Sequence, residues 1–199
     1  LEVGIFGGIT NFGKFDFKAN PESDHTQEYI TFDLDNSFAI DAFLSYALNP
    51  NIKTALDFHY NMKSEATYTI SQQGQPARIT FDVHTMAFLV NVLYETKIDK
   101  AAPYLGAGLG LGLVSADNLQ VKRGGEVAKV LTEDKTATNM AWQVLFGCKF
   151  YINETFYLNG RIKHFNFGKL KVEVKDSDTL EPEEGVNGQS YLLGFGTHI

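Results

Sequence analysis

Ionisable side chains recur on one parity along several stretches of this 199-residue chain. Residues two apart share a face of a β-strand. Lys53, Asp57, His59 and Lys63 therefore line one face with Ala55 and Asn61, and Asp41 lies among Ser37, Ala39, Phe43 and Ser45. Further on, Lys149 shares a face with Gln143, Leu145 and Gly147, and Arg161 and Lys163 share one with Tyr157 and Asn159. Charged groups crowded away from water pair as ions and hydrogen bonds. Lining a wet path, the same groups pass protons or small ions.

More pointed chemistry is sparse. Asp57 with His59, and Asp82 with His84, each set a carboxylate beside an imidazole at i, i+2. A metal centre requires three or four convergent ligands, and neither pair has a third close by in sequence, so both read as hydrogen-bonded wall residues. His25 beside Asp24 and Glu22 reads as a solvated turn. Cys148 is the single cysteine, which excludes an intrachain disulfide and a cysteine metal site. No catalytic residue, metal or cofactor is expected.

The elements that must position these groups are strands. Period-two alternation gives eight, at residues 2–18, 29–46, 52–69, 79–95, 103–115, 139–152, 156–174 and 188–199. On the second, Phe38, Ile40, Ala42, Leu44 and Tyr46 face away from Asp41; on the third, Ile52, Thr54, Leu56, Phe58, Tyr60 and Met62 face away from the charged set. Short connections at 47–51, 96–102 and 153–155 alternate with long polar ones at 19–28, 70–78, 116–138 and 175–187, the last carrying the acidic tip Asp176, Asp178, Glu181, Glu183 and Glu184. Antiparallel strands joined in this rhythm put all short turns at one end of a sheet and all long loops at the other.

The segment from Pro103 to Val114, PYLGAGLGLGLV, sharpens the facing: Leu105, Ala107, Leu109, Leu111 and Leu113 alternate with Gly106, Gly108, Gly110 and Gly112. A soluble sheet with one buried face carries polar side chains on the other, whereas here the second face is bare backbone. The pattern suits a small closed barrel, apolar outside and tightly filled within. Mean hydropathy is −0.15, and no apolar run of about 18 residues marks a membrane helix. Alternating membrane strands escape such an average. A formal charge of −7, with no basic cluster, argues against a nucleic-acid partner. The start at Leu1, with neither Met nor a hydrophobic leader, fits a processed exported chain and a trimmed piece equally.

PYLGAGLGLGLV, the later AWQVLFGCKFYINETFYLNGRIKHFNFG and the closing YLLGFGTHI resemble the eight-stranded outer-membrane barrels of Gram-negative bacteria, which include the membrane domain of outer membrane protein A and the opacity-type surface proteins. The resemblance implies an all-β, eight-stranded, antiparallel, up-and-down transmembrane barrel, forming one domain over residues 1–199 and located in the outer membrane. It also implies a monomer surrounded by lipid and lipopolysaccharide, non-enzymatic, acting through its loops in adhesion, in contact with host or matrix molecules, or in envelope integrity. Such chains close on an outward aromatic, whereas here Phe195 stands four residues before Ile199. In that setting Asp41, Lys53, Asp57, His59, Lys63, Lys149, Arg161 and Lys163 form a polar network that plugs a lumen only wide enough for side chains. A narrow ion pore is the alternative, and a soluble lipocalin-like carrier a lesser one. Lipid A deacylation, which some eight-stranded barrels perform with a His-x-Ser-Asn motif, is a poor match, because Asn166 stands where the serine nucleophile following His164 would be.

Overall fold

The computed structural model describes residues 1–19, 28–72, 75–123, 126–129, 135–169, 172–173, 179–182 and 185–199. In chain order the strands are β1 (Glu2–Phe12), β2 (Phe15–Ala19), β3 (Glu28–Leu34), β4 (Ser37–Ala47), β5 (Ile52–Gln72), β6 (Gln75–Glu95), β7 (Ala101–Arg123), β8 (Glu126–Lys129), β9 (Lys135–Tyr151), β10 (Phe156–Asn166), β11 (Val172–Glu173), β12 (Thr179–Pro182) and β13 (Asn187–His198). Eight of these, β1, β4, β5, β6, β7, β9, β10 and β13, pair antiparallel in a ring. The ring closes where β1 meets β13, from Glu2 opposite His198 to Phe12 opposite Gly188. Full closure leaves the membrane-level ladder without an edge, the condition a sheet must meet in lipid.

Facing follows the alternation. Leu105, Leu109 and Leu111 are each more than half exposed on the outer surface, as are Ile5, Phe38, Leu56, Phe88, Phe146 and Leu193 on six other strands. An apolar exterior over a charged interior is the reverse of what a soluble carrier requires. Tyr46, Tyr94 and Trp142 stand outward among these residues, where an amphipathic ring suits a headgroup boundary. Tyr151 instead stacks on His198 and packs edge-on to Tyr157.

Two of the three short turns share one device. Asn49 Oδ1 accepts from the backbone N–H groups of Asn51 and Ile52 at 2.9 and 2.8 Å. Asn153 Oδ1 does the same for Thr155 and Phe156 at 2.9 and 2.8 Å. An Asx side chain so placed imitates a backbone turn.

The opposite end departs from the alternation-based expectation. Residues 70–78 are not a long loop: β5 and β6 continue to a tight hairpin in which Gln72 pairs with Gln75. β7 likewise runs to Arg123 and pairs back with β8, and β12 occupies part of the fourth expected loop. β2 and β3 divide strand from loop where a continuous first and second strand were expected, each separated from its barrel strand by two residues. β5 and β6 have 21 residues each and β7 has 23, against the roughly 9–11 a tilted strand needs to cross a bilayer. The wall therefore projects well beyond its apolar belt. Alternation fades there because water replaces lipid outside, while the backbone ladder persists. His25 and most of the acidic tip lie outside the described residues.

Leu109 sits midway along the apolar run of β7, so Leu109→Arg is expected to cost about 2–4 kcal/mol of folding free energy. Urea titration of the protein refolded into lipid vesicles checks this, and an unchanged midpoint would contradict the lipid-facing assignment.

Candidate functional site

The inward faces of the eight strands bring the charged residues into two connected layers. Nearest the short turns, Lys53 on β5 reaches Glu2 at 2.5 Å and Glu95 at 2.6 Å, and Lys149 on β9 reaches the same two carboxylates at 2.6 Å each. Ser45 donates to Glu2 at 3.1 Å. Two cations and two carboxylates thus alternate around a square, drawn from β1, β5, β6 and β9.

One layer further in, Lys163 lies 2.8 Å from Asp41 and 3.3 Å from Asp57. Arg161 lies 3.4 and 3.3 Å from the same pair. His59 Nδ1 is hydrogen-bonded to Asp41 Oδ1. Arg161 Nε donates to the Tyr104 hydroxyl at 3.0 Å, which donates in turn to Asn159 Oδ1 at 2.9 Å. The guanidinium also rests on the ring of Phe6, 4.2 Å from its centroid, with Phe43 at 5.0 Å. Room for Tyr104 comes from Gly147, directly opposite in the ladder, where a side chain would collide with the phenol.

Above this layer the polarity changes. Thr10, Asn61, Thr85 and Ser190 form a neutral hydrogen-bonded tier. Phe165 and Phe167 stack with ring centroids 4.2 Å apart, and the His59 ring packs against both at 5.4 and 5.5 Å. They join Phe32, Phe81, Val83, Leu89, Val114 and Val186 in an apolar core that begins at the level of the belt, where Leu89 pairs with Gly110, and continues into the projecting wall. The lumen is therefore filled twice, by paired charges and then by hydrocarbon.

Seven of the eight residues expected in the network lie in it: Asp41, Lys53, Asp57, His59, Lys149, Arg161 and Lys163 are all buried in the lumen. Lys63 does not. The ladder slips between Asn61 and Ser64, so Met62 and Lys63 are both exposed and burial passes from the odd positions before them to Ser64 and Ala66 after them. Lys63 instead stands outside at 2.6 Å from Asp82. Glu2 and Glu95 were missing from the expected set, and a signal existed for both. Glu95 continues the parity of Asn91 and Leu93. The expected set also held two carboxylates against five cations, an imbalance no dry lumen tolerates. With Lys63 outside and the two glutamates inside, four carboxylates meet four cations among the described residues.

The second histidine pair belongs to the outer face. Glu65, Asp82 and Asp117 stand directly opposite one another across β5, β6 and β7. Like charges in register repel. Lys63 offsets this at Asp82, Arg78 at Glu65 at 3.2 Å, and His84 approaches Asp117 at 3.6 Å. His164 also faces outward, its ring against Trp142 at 5.6 Å, and Asn166 Oδ1 accepts from the Gly168 N–H at 2.8 Å. Among the described residues, no group of three or more His, Cys, Asp or Glu side chains is placed to hold a metal ion.

Against known proteins, the family described as "Outer membrane protein beta-barrel domain" matches residues 2–198. The chain is 28% identical over 102 residues to outer membrane protein PagN of Salmonella typhimurium, an alignment covering 50% of this chain and 42% of that protein. The chain thus spans less than half the length of this relative. The outer membrane protein OprG of Pseudomonas aeruginosa superposes with a TM-score of 0.63 at 12% identity, covering 98% of this chain and 94% of that one. Neisserial surface protein A superposes with a TM-score of 0.53 at 14% identity, covering 100% and 96%. At such identities the two structures show a shared fold.

Removing one member of the buried network strands the rest. Lys163→Met is expected to cost about 3–5 kcal/mol, and Lys63→Met several-fold less, since water reaches that site. Equilibrium unfolding of the two variants checks the order, and equal losses would refute the assignment of Lys63 to the outside.

Proposed function

Because the chain belongs to the outer membrane protein beta-barrel domain family, we propose that it is a non-enzymatic surface protein whose projecting end contacts host or matrix molecules. The barrel lies in the outer membrane, its apolar belt in lipid. The observation that carries the reading is the continuation of β5, β6 and β7 beyond that belt, over an apolar core to which they contribute Ala66, Phe81, Val83 and Ala116. A wall stiffened in this way presents polar side chains such as Thr67, Thr69 and Arg78 at a fixed distance from the membrane, as a docking platform does. Binding residues are commonly borne on loops held by a rigid scaffold.

The filled lumen weighs against the alternative of an ion pore. Ions crossing it would have to separate Lys53 and Lys149 from Glu2 and Glu95, then Arg161 and Lys163 from Asp41 and Asp57, and then pass the Phe165 and Phe167 stack. Each buried pair costs several kcal/mol to break. Reconstituted in planar bilayers, the protein is expected to show no steady nanosiemens openings, and sustained openings would favour the pore.

Adhesion is tested by displaying the chain on a non-adherent bacterial strain. Attachment to epithelial cells or to immobilised matrix proteins is expected to exceed the empty-vector level. It should return to that level when the β5–β6 hairpin is shortened by deleting residues 67–78, with the barrel still resisting unfolding in detergent at room temperature. No attachment by the intact chain would overturn the proposal.

A further inference from the structure

We infer that the lumen contains a built site for a single water molecule, held by Asp57, Asn91 and Gln143. Asn91 on β6, Gly108 on β7 and Gln143 on β9 stand in one row across three strands. Gly108 contributes no side chain, and a Cβ there would collide with the Asn91 amide. The Gln143 amide therefore crosses its neighbour and meets Asn91 directly. Gln143 Nε2 donates to Asn91 Oδ1 at 2.6 Å and to Asp57 Oδ2 at 2.9 Å. All three side chains are at least nine-tenths buried.

This junction leaves three buried atoms without a protein partner: Asp57 Oδ1, Gln143 Oε1 and Asn91 Nδ2. Each shares a carbon with an atom already in the junction, so all three belong to side chains joined through the Gln143 amide. Turning the amides does not pair them. Turning Gln143 sets its oxygen against the Asp57 carboxylate, turning Asn91 sets amine against amine, and turning both repeats the first conflict. The amide orientations are thus fixed by Asp57.

The unpaired set is two acceptors and one donor. A water molecule matches it, giving its hydrogens to Asp57 Oδ1 and Gln143 Oε1 and accepting one from Asn91 Nδ2, within the two to four partners that ordered internal water makes. Ions do not match. A cation would face the Asn91 amide hydrogens beside Arg161 and Lys163, which already pair with Asp57. An anion would face Asp57 itself.

A high-resolution crystal structure of the refolded protein tests the site. One density peak is expected at about 2.7–3.2 Å from all three atoms. Absence of a peak, or a peak touching fewer than two of them, overturns the inference. In Asn91→Leu, which removes the donor and fills the space with a methyl pair, the peak is expected to vanish; a peak retained on Asp57 and Gln143 would overturn the three-partner site. If that variant fails to refold, the wild-type map decides alone.

Discussion

A barrel of eight strands has an interior just wide enough for side chains to fill, and that single constraint orders the rest of the structure. No bulk water separates the inward charges, so each must find an opposite partner across the lumen rather than along its own strand. Lys53 and Lys149 stand on different strands yet meet the same two glutamates. Lys163 and Arg161 share Asp41 and Asp57. Volume obeys the same rule. Where a phenol or an amide must lie across the lumen, the opposing position is glycine, as at Gly147 under Tyr104 and Gly108 under the Asn91–Gln143 bond.

Much of this was legible in the residues. Period-two alternation located eight barrel strands and assigned Leu105 to Leu113 to the outside, because lipid and lumen impose opposite preferences on successive positions. The lumen set was readable for seven residues on the same basis. Lys63 escaped because a local slip inverts parity, and nothing in the run Asn61-Met62-Lys63-Ser64 announces it. Glu2 and Glu95 were readable in principle from charge balance, an argument about the whole lumen rather than any one strand.

The projecting end was the least legible part. Outside the bilayer both faces of a strand meet either water or a small private core, so Thr, Gln, Arg and Asp replace the greasy stripe. The segment from Ala66 to Gln72 then resembles a loop in composition while remaining a ladder in hydrogen bonding. The hairpin signal there is a two-residue connection between Gln72 and Gln75, too weak to read from composition. The apolar residues that do persist, such as Phe81, Val83, Val114 and Phe165, point inward and close the top of the lumen.

The seam between β1 and β13 carries a kinetic consequence. Glu2 is bonded to Lys149 across 147 positions of sequence, and Thr10 to Ser190 across 180. Before the later strands arrive, Glu2 has Lys53 and Thr10 has Asn61, both on β5, but Glu2 still lacks Lys149 of β9 and Thr10 still lacks Ser190 of β13. Long-range closure of this kind is slow, because the entropy of bringing distant segments together is lost before the contacts repay it. A half-zipped sheet is therefore penalised at its open margin by incomplete side-chain pairing as well as by unpaired backbone, and the arrival of the final strand acts as the lock.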